Sequence, residues 1–219
     1  MIEIVDVSKS YGSVRALREV NLTIAAGERV AFVGSNGSGK TTLLRALLGL
    51  LRFSGQIKIQ GLDVSRDPAR ALARVAYVPQ VAPPIEASVH EVVLAHATLR
   101  GIELSAAHGR AARLGLDLDE HRRTRFRDLS GGMRQKLLAS LALSANAEVL
   151  VCDEPTANLD VSARTAFFEQ VAERPRASIS ILCSHRLEEV EGFVDRVVEL
   201  REGVLVRNDR RSQLRAVAS

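Results

Sequence analysis

GSNGSGKTT, residues 34 to 42, follows the short apolar run ERVAFVG (28–34) and leads into TLLRALLGLL (42–51). The order is strand, glycine-rich turn, helix, and residues 34–41 satisfy G-x-x-x-x-G-K-[ST] at every position. The chemistry explains each residue type. Gly34, Gly37 and Gly39 let the backbone wrap round a phosphate without Cβ clashes, turning successive N–H groups inward. Ser35, Asn36 and Ser38 complete the wrap. Lys40 adds a point charge for β- and γ-phosphates, and the Thr41 hydroxyl suits Mg²⁺. The helix that Thr41 and Thr42 open presents its positive end to the anion. This stretch predicts a nucleotide-binding α/β fold.

Other residues acquire meaning beside that loop. VLVCDE (149–154) is four apolar residues followed by two carboxylates. Strand alternation sends Asp153 and Glu154 to different places, Asp153 towards Mg²⁺ and Glu154 towards the water that attacks a γ-phosphate. Gln80, at the end of YVPQ, carries an amide suited to Mg²⁺ or to that water. His185, closing a strand in CSH, offers an imidazole to the γ-phosphate. Farther along, LSGGMRQKLL (129–138) opens a second helix with a hydroxyl and two glycines, Ser130, Gly131 and Gly132. That is another place for an anion, in a chain that already has a better one.

The strand pattern spreads outward from these motifs. IEIVDV (2–7) and VNLTI (20–24) alternate apolar and polar residues, and QIKIQG (56–61) and RVAYVPQ (74–80) are further strands. Ser88 and Glu91 have capping-box spacing ahead of HEVVLAHATL, and helical pattern continues over 105–116 and 130–145. Strands return at 148–154 and 178–185, each followed by a predicted helical stretch. The map is a βα pattern with an all-helical insertion from residue 81 to about 145.

Bulk properties exclude several classes. The 219 residues suffice for one sizeable domain, with 46% hydrophobic and 26% charged residues. No apolar run reaches the roughly 20 residues of a membrane span, and the start MIEIVDVSKS does not read as a signal peptide. A cytosolic protein is expected. The net charge of +4 is spread over the surface, with HRRTRFR (121–127) the one dense cluster, so no nucleic-acid partner is expected. Cys152 and Cys183 each end an apolar run, which predicts reduced thiols buried in core strands.

Taken together, the chain resembles the nucleotide-binding subunit of an ATP-binding cassette (ABC) transporter, from about residue 2 to 208. Tyr11 in KSYGS matches the aromatic A-loop that stacks on adenine. GSNGSGKTT matches Walker A, Gln80 the Q-loop, LSGGMRQ the signature and VLVCDEP Walker B. NLD (158–160) matches the D-loop and His185 the switch histidine. The resemblance implies a P-loop NTPase (ABC ATPase) fold with a mixed β core, a RecA-like lobe and an inserted α-helical subdomain. The expected boundaries are about 1–80 and 146–219 for the catalytic core and 81–145 for the helices. ATP and Mg²⁺ are the implied cofactors.

In this family two cassettes close head to tail, with each ATP between Walker A of one and the signature of the other. Ser130, Gly131 and Gly132 are thus implied to hold the partner's ATP, and Asp160 to lie at the dimer interface. The implied partners are a second copy or a homologous cassette and integral membrane permease subunits, contacted around 81–104. That places the chain on the cytoplasmic face of the cell membrane. LSGGM and SHRLEEVEGFVDRVVELREGVLV (184–206) resemble the drug, lipid and haem exporter branch. YVPQ followed by VHEVVLA suits an importer cassette, for example for a metal ion. A soluble ABC ATPase acting away from membranes is the remaining alternative.

Overall fold

A computed structural model describes residues 1–210, and packing divides the chain into two compact units. The first holds Met1–Val75, Glu148–Glu154 and the stretch from Pro175, and the second holds Ala76–Ala147 and Pro155–Arg174. The sequence-based boundaries assign residues 155–174 to the catalytic core, whereas packing groups them with the helices. The part of that core assignment covering 211–219 lies outside the described residues.

In chain order the first unit contains β1 (Ile2–Tyr11), β2 (Val14–Ile24), β3 (Arg29–Val33), α1 (Lys40–Leu47), β4 (Ser54–Ile59), β5 (Leu62–Asp63) and α2 (Pro68–Ala73). The next strand, β6 (Val75–Val78), begins at the boundary between the units. Antiparallel pairing joins β2, β1, β4 and β5 in that order. The second sheet is built on β7 (Val149–Asp153), β8 (Ile179–Cys183), β9 (Arg196–Arg201) and β10 (Val204–Arg210). In it β9, β3, β8 and β7 lie side by side in parallel, and β10 pairs antiparallel to β9.

Strands β7 (VLVCD) and β8 (ISILC) are buried at every residue, and β3 at all but Arg29. Continuous apolar runs of this kind are what a parallel sheet covered on both faces requires. Cys152 and Cys183 are free, buried thiols within it, as their apolar context predicts. Because β3, β7 and β8 run parallel, their carboxyl ends emerge together, which is where ligands bind in open α/β sheets. Those three ends carry Gly34, Glu154 and Ser184-His185. The helical stretch predicted after β8 is instead two short 3₁₀ turns, Leu187–Glu189 and Glu191–Phe193. Only ten residues separate His185 from β9, Gly192 interrupts them, and Val190 and Val194 anchor the turns in the interior.

The second unit is mainly helical, with α3 (Val89–Arg100), α4 (Leu104–Arg113), α5 (Gly131–Ser144) and α6 (Val161–Ala172). The predicted capping box starts α3: Ser88 Oγ accepts from Glu91 N at 3.3 Å, and Glu91 Oε2 accepts from Ser88 N at 2.8 Å. Val89, Val93, Ala107, Ala111, Phe126 and Leu137 form its core. Glu173, just past α6, accepts from Arg113 at 2.6 and 2.7 Å and from Arg110 at 3.3 Å. Exposed pairs of this kind contribute little stability; α6 is held chiefly by its buried Ala163, Phe167, Phe168 and Val171.

Candidate active site

The loop between β3 and α1 has the geometry of a phosphate cradle. Gly37 and Gly39 have φ of 82° and 107°, in the left-handed region that a side chain resists. Close approach adds to the requirement at Gly39, where a Cβ would stand 2.6 Å from Ala16 O on β2. Ser38 N donates to Ser35 O at 3.1 Å, and Gly203 N donates to Ser38 O at 2.9 Å, so the loop is pinned from within and from β10's end. Lys40 is 7% exposed and its Nζ donates to Gly34 O at 2.7 Å and Ser35 O at 3.0 Å. Its ammonium therefore stands inside the wrap. Helix α1 starts at Gly39 with no side-chain cap, which leaves first-turn N–H groups for an anion. Ser38 Oγ is buried without a hydrogen-bond partner. An orphaned hydroxyl beside an uncapped helix start fits a phosphate oxygen well.

Asp153, at the carboxyl end of β7, is 2% exposed and accepts a hydrogen bond from the Thr41 hydroxyl. Burial pushes its carboxyl above the usual aspartate range, against the opposing pull of Thr41, Arg45 and Lys40. A hydroxyl and a carboxylate are hard oxygen donors of the type Mg²⁺ takes when phosphate and water supply the remaining ligands. The residues present fit that ion.

Glu154, the next residue, has φ of 49°, a left-handed backbone that is costly for a glutamate. Its N–H donates to Cys183 O at 3.1 Å, which holds it to the end of β8. Both acids are largely enclosed: Asp153 is buried at the end of β7, and only 11% of the Glu154 side chain is exposed. Glu154 Oε2 lies 2.9 Å from His185 Nδ1. Ser184 secures the histidine from below: its N–H donates to Phe32 O at 3.1 Å and its hydroxyl accepts from Arg186 N at 3.0 Å. The first unit thus brings together the loop 34–42, Asp153, Glu154 and His185. Tyr11, in the same unit, is half exposed at the β1–β2 hairpin, with Lys9 Nζ 5.0 Å from its ring centroid.

The remaining predicted residues lie in the second unit. Gln80 is exposed just beyond β6. Ser130 caps α5, its Oγ accepting from Met133 N at 3.1 Å. A Cβ on Gly131 would meet nothing within 4 Å, whereas one on Gly132 would stand 2.9 Å from Asn158 O. Asp160 caps α6 through Ala163 N at 2.8 Å and pairs with Lys136 Nζ at 2.8 Å. The Lys136 hydrogen bond, then Ala163's, holds the Asp160 carboxyl below the usual range.

Three residues here were not singled out from the sequence. Gln135 is 3% exposed and donates to Pro155 O at 3.1 Å. Lys136 reaches Asp160, and Arg45 lends positive charge near Asp153. A polar glutamine at a helix position that turns out buried is a signal, but only after the helix phase is known.

The chain is similar to known proteins. The family model described as ABC transporter matches residues 17–157. Nod factor export ATP-binding protein I of Rhizobium meliloti is 32% identical over 209 residues, covering 92% of this chain and 62% of that protein. Ribose import ATP-binding protein RbsA 2 of Streptomyces avermitilis is 35% identical over 218 residues, covering 93% of this chain and 43% of that one. The chain thus spans less than two thirds of the length of these relatives. Among solved structures, an ATP-binding subunit of an ABC transporter superposes with a TM-score of 0.88 at 25% identity, covering 100% of this chain and 93% of that one. A dimeric ATP-binding cassette bound to ADP and Pi in a post-hydrolysis state gives 0.84 at 23% identity over 96% and 99%, a likeness of fold.

Proposed function

We propose, because this chain belongs to the ABC transporter family, that it binds and hydrolyses ATP as one half of a head-to-tail pair and drives transport through separate membrane subunits. One observation carries the reading. The cradle of residues 34–42, the buried Asp153 and the Glu154–His185 pair stand at the ends of adjacent parallel strands of one unit. Ser35, Asn36, Gly37, Ser38, Gly39 and Thr42 present backbone and hydroxyl groups to the phosphates, and Tyr11 offers its ring to adenine.

Lys40 exchanges its two carbonyl partners for phosphate oxygens and offsets charge that develops during transfer. Glu154 orients or deprotonates the attacking water, and His185, held at 2.9 Å, fixes the direction in which its carboxylate points. Thr41, Asp153 and Gln80 would hold Mg²⁺, which neutralises phosphate charge when bound. The α5 start in each copy closes on the partner's γ-phosphate with Ser130, Gly131 and Gly132. ATP then binds the closed pair better than the open one, which favours closure, and hydrolysis releases it.

We further propose attachment to the cytoplasmic face of the membrane through the region 81–104, where Arg127 pairs with Glu86 at 2.7 Å just ahead of the signature. Among the described residues, no helix is long and apolar enough to cross a membrane, so transport needs membrane partners. Export is the preferred direction, on LSGGM and the 184–206 stretch. Import is the second reading, favoured by the 35% identity to a ribose import protein. Purification from native membranes tests both: copurifying permease subunits support transport, and their identity sets its direction. Ribosomes or DNA in their place would point to the soluble alternative. Mg²⁺-dependent ATP hydrolysis by the purified complex is expected, and its absence would remove the enzymatic assignment.

A further inference from the structure

Segment 155–160, which follows Glu154 directly, is fastened to α5 along its length. Gln135 Nε2 holds Pro155 O at 3.1 Å, and Gln135 is itself buried. At Gly132 the two backbones approach so closely that a Cβ would stand 2.9 Å from Asn158 O. Lys136 Nζ meets Asp160 Oδ2 at 2.8 Å, with only 15% of the lysine side chain exposed. A Cβ on Gly115 would lie 3.6 Å from the same ammonium, so the lysine passes close over a glycine on its way to Asp160. The other oxygen of Asp160 is committed to capping α6. All three attachments come from the first two turns of α5, the turns that begin with Ser130.

We propose that Lys136 is a positioning residue for hydrolysis: it locks Asp160 to α5, so that the Ser130–Gly132 end and the backbone following Glu154 move as one piece. The functional half of this inference rests on the reading that the α5 start contacts the partner's nucleotide. A displacement imposed on α5 by that nucleotide is passed to Pro155 and, through one peptide bond, to Glu154 in its left-handed conformation. Such a turn has few alternative backbone states, so small shifts of its neighbour set where the carboxylate points. The ion pair supplies what the two other attachments cannot. Gln135 grips only the first residue of the segment and Gly132 only abuts its middle, while Lys136 fixes the end from which α6 departs.

The test uses the full chain with three substitutions: Lys136→Met, Lys136→Arg, and Asp160→Asn, which keeps a capping oxygen but loses the charge. Amide hydrogen exchange over residues 155–163 should speed up in Lys136→Met and Asp160→Asn and stay near wild type in Lys136→Arg. Turnover at saturating ATP should fall about 2- to 30-fold in Lys136→Met, the range seen for residues that carry coupling between sites. Its cooperativity in ATP should weaken, while nucleotide affinity of the unpaired chain is unchanged and Lys136→Arg restores turnover. Wild-type exchange over 155–163 in Lys136→Met overturns the clamp. Faster exchange with unaltered turnover and cooperativity overturns its positioning role, as does a loss that arginine does not restore. A wild-type chain that hydrolyses no ATP would instead count against the reading of the α5 start, and the exchange data would still judge the clamp.

Discussion

Helices α1 and α5 both begin where an anion is welcome, and they are built in opposite ways. Helix α1 begins at a glycine without a cap, behind a loop that folds over itself and carries Lys40 within it. Its neighbours close the hollow from behind, with Ala16 O near Gly39 and Gly203 bonded to Ser38. Helix α5 begins at a serine whose hydroxyl already bonds Met133 N, with open space at Gly131 and no wrapped loop before it. One start is enclosed by its own loop, and the other is capped by its serine and open at Gly131. Two such surfaces in one chain make sense if each completes a site begun on another copy.

Substitutions can break this contrast in graded steps. The largest effect is expected for Glu154→Gln, which should lower ATP hydrolysis by about 10²- to 10⁴-fold while ATP still binds. A stable closed pair should then accumulate with ATP, visible by size-exclusion chromatography; normal turnover would take the water-activating role from Glu154. Lys40→Ala comes next, with an expected loss of about 10²- to 10³-fold in turnover together with weaker ATP binding, measured by steady-state kinetics and fluorescence titration.

The α5 start is probed by its two glycines, which differ only in what stands behind them. Gly132→Ala drives a methyl group against Asn158 O and should cost about 1–3 kcal/mol in a denaturant melt. Gly131→Ala meets nothing, so stability should stay within about 0.5 kcal/mol of wild type. Turnover should nonetheless fall, because the proposed function turns that methyl towards the partner's nucleotide. Wild-type turnover in Gly131→Ala would mean that nothing docks there.

The smallest effect concerns acid. Asp160's carboxyl titrates below its unfolded value, mainly through Lys136, so its stabilisation is complete above the ordinary aspartate range. It is lost as pH falls through the lowered folded value. Melting temperatures recorded from neutral pH into that range should therefore fall less steeply for Asp160→Asn than for wild type.

Much of the first helix start was legible as sequence because its chemistry is local. A phosphate loop needs glycines, a lysine and a hydroxyl at fixed spacing, and a following helix supplies the rest. The carboxylates of VLVCDE were equally visible, since an apolar run ending in two acids is a strand delivering them to an edge. The helical pattern after His185 misled because LEEVEGFV has helix-like apolar spacing, while the segment forms two 3₁₀ turns with Gly192 in the second and Val190 and Val194 buried. Residues 155–174 follow the core strand β7 in sequence, and packing groups them with the helices.

What the sequence determined by itself is the inventory: a P-loop, two acids at a strand end, a histidine at another and a second glycine-marked helix start. Each follows from short-range spacing, which backbone sterics and hydrogen-bond geometry convert directly into local structure. Only the tertiary structure decided which residues face each other. The pairing of His185 with Glu154, of Thr41 with Asp153, and of Gln135 and Lys136 with the segment after Glu154 joins residues up to 112 positions apart, Thr41 to Asp153. Contacts over such separations depend on strand order and helix phase, and no local pattern encodes them.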